Sequence, residues 1–192
     1  VNMTLENIED GNPVAVYKTG SNWGGFIAIT LNNVKVGALS YFFGIFLGIG
    51  TFYILLNNCI MLGSFQYFFY QRGVFWESVR GIWIHGSMEI FAMIIEAGAG
   101  FILGASILFP QTFSRLNSFK IGFQNSFKIF LSTMPFTFAA GFLEGYITRY
   151  SMEMPTYLSV GIILITLSII SFYYLIYPFI VHKKAKKYVS TL

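Results

Sequence analysis

The sequence predicts an all-α fold, a polytopic bundle of transmembrane helices with about four full spans and one short interfacial or re-entrant helix. Two observations lead to this prediction. Of the 192 residues, 55% are hydrophobic and only 10% are charged, which is more apolar surface than a soluble domain of this size could bury. The apolar residues are also gathered into a few long stretches. We therefore expect most of the chain to lie in or against a lipid bilayer.

Four of these stretches are long enough to cross the ~30 Å hydrocarbon core of a bilayer as a helix. They cover residues 36–56, 84–109, 129–147 and 157–181. A fifth stretch, residues 59–70, is about a dozen residues long and thus too short for an ordinary span. Its many aromatic rings favour a position at the membrane interface.

Three regions follow from this pattern. Residues 1–33 form a polar and amphipathic lead-in, residues 34–181 the transmembrane helical domain, and residues 182–192 a basic tail. Within the lead-in, residues 24–31 are apolar, but polar residues interrupt the run before the first full span begins. We expect an amphipathic helix there.

Basic residues predict the orientation of the bundle. The net charge of +4 comes largely from a connector at residues 111–128 and from the tail. The lysines and arginines concerned are Arg115, Lys120, Lys128, Lys183, Lys184, Lys186 and Lys187. Because cytoplasmic loops carry an excess of such residues, the connector and the C-terminus are predicted to be cytoplasmic. Four spans would put the N-terminus there too, whereas a crossing by residues 59–70 would move it to the other side.

A basic tail directly after an apolar span fits anionic lipid headgroups better than nucleic acid. No nucleic-acid partner is expected.

Three glycine pairs predict close packing of helices. Gly44 with Gly48, Gly100 with Gly104 and Gly141 with Gly145 are each one helical turn apart, in three different predicted spans. In a bilayer, helices associate through close van der Waals contact, which small residues permit. The alternative is that these glycines only reflect the general enrichment of glycine in membrane helices.

Four ionisable residues fall inside the predicted spans: His85, Glu89 and Glu96 in the second, and Glu144 in the third. The helical repeat places the first three on one stripe of their helix. That stripe cannot face lipid, because a carboxylate near mid-membrane costs ~2.5–3.5 kcal/mol. Glu144 approaches the same side of the membrane as His85 and Glu89, so we expect these three to cluster, with Glu96 deeper.

Three interpretations of this cluster stay open: a hydrogen-bonded knot that fixes helix packing, a binding or proton-relay site that lines a cavity, and a metal site. The metal interpretation is the least favoured, because the spacing is not His-Glu-x-x-His and the other histidine, His182, lies in the tail. We expect no metal and no cofactor. The sequence has no phosphate loop and no Gly-x-Ser-x-Gly elbow, and Cys59 is a lone cysteine, so catalysis is not supported.

The same residues resemble a known family. His85-Gly86-x-x-Glu89, followed by Ala92, Gly100 and Gly104, is similar to the core motif of the stage II sporulation protein M family of membrane proteins. Further matching positions, in family order, are Gly44, Gly48, Gly50-Thr51, Asn58, Leu62-Gly63 and Glu144-Gly145-Tyr146-Ile147-Thr148. The resemblance runs from about Asn32 to Thr148. The sequence departs from the pattern at Glu96, where a small residue is usual, at Cys59 after Asn58, and at Gln111 after Pro110, where glycine is usual.

The resemblance implies a non-enzymatic scaffold or assembly component of the bacterial cytoplasmic (inner) membrane. The sporulation member is a membrane component of a complex with peptidoglycan-degrading partners, so we expect membrane or envelope protein partners, with self-association left open. The alternatives are a small transporter or channel subunit that uses the His/Glu cluster and, third, an intramembrane metal-dependent hydrolase. Many members carry a further N-terminal cytoplasmic region, which implies that Val1 is an internal residue.

Overall fold

The computed structural model describes residues 21–189, and over that range the chain is helical apart from short turns. Residues 1–20 of the predicted lead-in and residues 190–192 of the predicted tail lie outside the described part. The helices are α1 (Asn22–Phe42), α2 (Ile49–Gln71), α3 (Phe75–Leu108), α4 (Arg115–Phe142), α5 (Thr156–Ser171) and α6 (Tyr177–Val189). The predicted all-α bundle is confirmed.

Short segments of other helical geometry extend or join these helices. A π-helical turn at Leu143–Ile147 and a 3₁₀ turn at Thr148–Tyr150 extend α4, and a π-helical turn at Phe172–Ile176 joins α5 to α6. A 3₁₀ turn at Phe43–Ile45 follows α1.

Five helical stretches are long and apolar enough to cross a membrane. They are Asn22–Ile45, Ile49–Gln71, Phe75–Leu108, Arg115–Tyr150 and Thr156–Lys186. Contacts between helices show that α1, α3 and α5 run in one direction and α2 and α4 in the other. The described chain is thus an up-and-down bundle whose short connections alternate between its two ends.

The predicted span at residues 36–56 is not one helix. The chain turns back at residues 43–48, where Leu47 and Gly48 have φ values of 56° and 82°. A positive φ ends a right-handed helix, and glycine adopts it without steric cost. Since the apolar run continues through this turn, hydropathy alone does not reveal it.

Two further boundaries change with this turn. The expected amphipathic segment at residues 24–31 is part of α1, a full-length span, and residues 59–70 belong to α2 rather than to a short interfacial helix. The 23 residues of α2 extend over ~34 Å at 1.5 Å per residue, enough to cross the hydrocarbon core.

The basic connector is also shorter than residues 111–128, because α4 already begins at Arg115.

α3 lies at the centre of the bundle. Its buried residues extend along nearly its whole length, from Ser78 to Gly104. α2, in contrast, buries only Thr51 and Phe69. α3 therefore holds the other helices together, and α2 is the most loosely packed of the long helices.

Glycines bring α3 against the turn between α1 and α2. A Cβ atom at Gly104 would lie 2.5 Å from the backbone nitrogen of Gly48 and 2.8 Å from the carbonyl oxygen of Gly44. A Cβ at Gly44 would meet the carbonyl oxygen of Gly100. Gly44 and Gly48 thus contact α3 from the turn between α1 and α2. The sequence had suggested instead that they share one helix face.

The third glycine pair brings α4 against α1. A Cβ at Gly141 would meet Oγ1 of Thr30, and one at Gly145 would lie 3.0 Å from Cα of Phe26. Neither backbone leaves room for a larger residue at these positions.

An aromatic core fills the bundle at the end where α1 turns into α2. The rings of Tyr41 and Phe130 stack with centroids 4.9 Å apart, and Ala99 and Leu103 of α3 complete the buried group. The Tyr41 hydroxyl also lies 3.1 Å from Oγ of Ser126, which satisfies its polar atom. The opposite half of the bundle contains His85, Glu89 and Glu144.

Candidate functional site

His85, Glu89 and Glu144 lie together in the half of the bundle opposite the aromatic core. Their nearest ligand atoms all lie within 4.8 Å of one another. His85 and Glu89 are about one turn apart on α3 and share a face, whereas Glu144 comes from the π-helical turn after α4. We call these three residues the His/Glu cluster.

Two members of the cluster are closely paired. His85 Nε2 lies 3.7 Å from Oε2 of Glu144, and the two side chains are only 6% and 13% exposed. The π-helical turn at Leu143–Ile147 holds Glu144 where it faces α3, and such local π-geometry is frequent at functional sites.

Thr148 orients the histidine ring. Its Oγ1 lies 2.9 Å from Nδ1 of His85, and Thr148 is fully buried. A partner on one ring nitrogen fixes the orientation of the ring, so the other nitrogen, Nε2, faces Glu144. Sequence reasoning gave Thr148 only as a family position. The spacing of Glu144 and Thr148, four residues apart on consecutive helical turns, is the signal that could have linked them.

A cavity of about 550 Å³ opens beside the cluster, and all three cluster residues line it. The remaining wall comes from α1, with Asn32 and Asn33, from α2 and from further residues of α3. Asn33 is the polar neighbour of Glu89. The volume falls within the range of small-ligand sites. The two asparagines were interpreted from the sequence only as an interruption, although consecutive amides inside a full-length span indicate a polar interior.

Glu96 is not part of the cluster. It lines a second cavity of about 300 Å³, and Glu89 lines both cavities. Thr133 of α4 donates a hydrogen bond of 2.7 Å to Oε1 of Glu96, and a Cβ at Gly37 would meet the other carboxylate oxygen. Glu96 is 2% exposed, so it is a packed and hydrogen-bonded group between α1, α3 and α4.

Two arginines form hydrogen bonds between helix ends in this half of the bundle. Arg149 donates a hydrogen bond to the side-chain oxygen of Asn22 at the start of α1. Arg80 of α3 donates to Oγ1 of Thr156 at the start of α5, at 3.0 Å. These contacts tie the ends of the helices together near the cluster.

The cluster offers one imidazole nitrogen and two carboxylates in one place. These groups can exchange protons, accept hydrogen bonds from a ligand, or coordinate a divalent cation. Among the residues that the structure describes, His85, Glu89 and Glu144 form a group of histidine and acidic residues that lie close enough together to bind one metal ion.

Comparison with known proteins agrees with the residues that form this site. The sequence profile of the family described as Stage II sporulation protein M matches residues 2–149, a range that contains α1 to α4 and the whole cluster. No curated protein and no solved structure matches the chain. The five membrane-length helical stretches and the profile match together identify a membrane protein. The chain belongs to the stage II sporulation protein M family.

Proposed function

We propose that this protein is a non-enzymatic scaffold or assembly component of the bacterial cytoplasmic membrane that works with envelope-remodelling partners. The observation that carries the proposal is the family match over residues 2–149, together with the resemblance to a sporulation protein that acts in such a complex. A second feature supports it. Between residues 21 and 189 the connections between long helices are only a few residues long, so the described part contains no separate water-exposed catalytic domain.

The orientation is part of this proposal. Arg115 and the lysines of α6 lie at the end of the bundle where α1 turns into α2, and the positive-inside rule assigns that end to the cytoplasm. Lys128 and Arg149 are 21 residues apart along α4 and its extension, or ~32 Å at the helical rise, which matches the hydrocarbon thickness. With five crossings, the start of α1 and the His/Glu cluster belong to the non-cytoplasmic half.

The test is affinity purification of the tagged protein from its native organism in mild detergent, with an unrelated tagged multi-pass protein as control. We expect envelope-modifying proteins to co-purify with this chain and not with the control. The Glu144→Gln variant should recover the same partners, because glutamine keeps the volume and hydrogen bonding of the side chain. Recovery of the same membrane proteins by chain and control would contradict the scaffold role.

A specific observation favours a second candidate, a small transporter or channel subunit. The cavity of about 550 Å³ at the His/Glu cluster shares Asn32, Asn33, Met61 and Glu89 with the smaller cavity at Glu96. Beyond Glu96, however, the packing of Tyr41 against Phe130 fills the bundle. In this conformation the polar cavities therefore stop partway across.

Flux into proteoliposomes distinguishes the two candidates. A scaffold gives no flux above protein-free vesicles. If the parent protein shows proton or solute flux that Glu144→Gln abolishes and Glu96→Gln retains, a transporter replaces the scaffold as the proposed function.

A further inference from the structure

We propose that His85, Glu89 and Glu144 form a site for one divalent transition-metal cation, with zinc as the best-matched ion. This inference goes beyond the scaffold role and does not depend on it. The sequence made a metal the least favoured interpretation, because the spacing is not His-Glu-x-x-His and His182 lies in the tail. The fold nevertheless brings three possible ligands together, since the π-helical turn carries Glu144 to His85 and Glu89.

The distances require little adjustment. Zinc binds imidazole nitrogen and carboxylate oxygen at about 2.0–2.2 Å, so tetrahedral ligands are roughly 3.3–3.6 Å apart. His85 Nε2 and Glu144 Oε2 are already 3.7 Å apart, and all three ligand atoms fall within 4.8 Å of one another. Rotation of the Glu89 side chain within the cavity that it lines closes the remaining gap.

The charges favour a cation. Two carboxylates placed this close inside a membrane-spanning bundle repel each other, and each loses favourable hydration. A divalent cation beside two carboxylates and a neutral imidazole gives a site with no net charge. Binding therefore lets both carboxyl groups ionise without leaving net charge inside the membrane, and it releases any protons that they carry.

The surroundings have the features of a metal site. Histidine ligands usually bind a second polar group through the other ring nitrogen, and Thr148 occupies that position at 2.9 Å from Nδ1. Three protein ligands leave one tetrahedral position open. All three side chains line the cavity of about 550 Å³, which gives the ion a route in and room for a water molecule.

The experiment measures zinc bound to the purified, detergent-solubilised protein. Protein stripped with a chelator is incubated with zinc chloride, passed through gel filtration and analysed for metal and protein. We expect about one zinc per chain. Glu89→Gln and Glu144→Gln should each weaken binding at least ~10-fold, since each replaces a charged ligand with a neutral one.

Glu96→Gln is the matched control, because Glu96 is a buried carboxyl on the same helix but lies outside the cluster. It should bind zinc as tightly as the parent. Cobalt in place of zinc gives an independent readout, since its visible absorption reports nitrogen and oxygen coordination and should disappear in the Glu144→Gln variant.

Circular dichroism and a single gel-filtration peak establish that each variant is folded, and the two glutamine variants are chosen because they keep side-chain volume. The proposal is overturned if folded parent protein retains no zinc after gel filtration. It is equally overturned if both glutamine variants bind zinc as tightly as the parent, which would place the ion elsewhere.

Discussion

Replacing Gly100 with alanine should loosen the contact between α3 and the end of α1. A Cβ at this position would lie 2.5 Å from Oγ1 of Thr51 and 2.7 Å from the carbonyl oxygen of Ser40. The Thr51 hydroxyl donates a 2.7 Å hydrogen bond to that same carbonyl, so the new methyl group would force the bonded pair away from α3.

The expected magnitude follows from three contributions. Overpacking of a filled core costs about 1–3 kcal/mol, and loss of the Thr51 to Ser40 hydrogen bond costs about 1 kcal/mol. Alanine returns up to about 1 kcal/mol through its higher helix propensity. The net destabilisation is about 1–3 kcal/mol, which corresponds to a fall in Tm of roughly 2–12 °C for a chain of this length.

Gly161 provides the matched control. It also lies in a membrane-length helical stretch, Thr156–Lys186, but a Cβ there would meet nothing within 4 Å. Gly161→Ala should therefore leave the Tm unchanged or raise it slightly. The measurement is thermal unfolding in detergent, followed by loss of the monodisperse gel-filtration peak. Equal Tm values for Gly100→Ala and Gly161→Ala would refute the close-contact reasoning, and Gly100→Leu should lower the Tm further still.

Three other predictions concern topology and the cluster. In a Cys59→Ser background, an impermeant thiol reagent added to intact cells should label a cysteine at Gln71 and spare one at Thr112; the reverse pattern would refute the orientation. In chelator-stripped protein, Glu144→Gln should unfold at the parent's temperature, whereas Glu144→Leu should lose about 1–3 kcal/mol because it leaves buried polar groups without a partner; equal stability of the two variants would contradict this. Thr148→Val keeps the side-chain shape but removes the contact with the histidine ring, and should weaken zinc binding about 10-fold; an unchanged zinc titration would refute the orienting role.

The apolar stretches were sufficient to predict an all-α membrane bundle, but not where its first helix ends. Residues 36–56 are apolar throughout, so nothing in their hydropathy marks the turn at residues 43–48. The turn depends on the positive φ of Leu47, a residue that rarely adopts it, and on the fit of this segment against the glycines of α3. That fit is tertiary and has no local sequence signal.

More of the His/Glu cluster than of the first turn could be predicted from the sequence. Helical periodicity placed His85 and Glu89 on one face, and the opposite direction of the later span brought Glu144 to the same depth. Periodicity also put Glu96 on that stripe, but 11 residues of helix separate it from His85, a rise of ~16 Å. The role of Asn33 could not be assigned from spacing, because it depends on which helices become neighbours.

The continuity of α3 links the two ends of the bundle. The helix is unbroken from Phe75 to Leu108, so His85 and Leu108 belong to one continuous rod. From His85 to Leu108 is 23 residues, or ~35 Å. A tilt of about 10° around the Leu108 end displaces His85 by roughly 6 Å at this helical rise, more than the 4.8 Å that spans the cluster. A tilt of α3 relative to α4 would thus separate His85 from Glu144 without any change of conformation within α3.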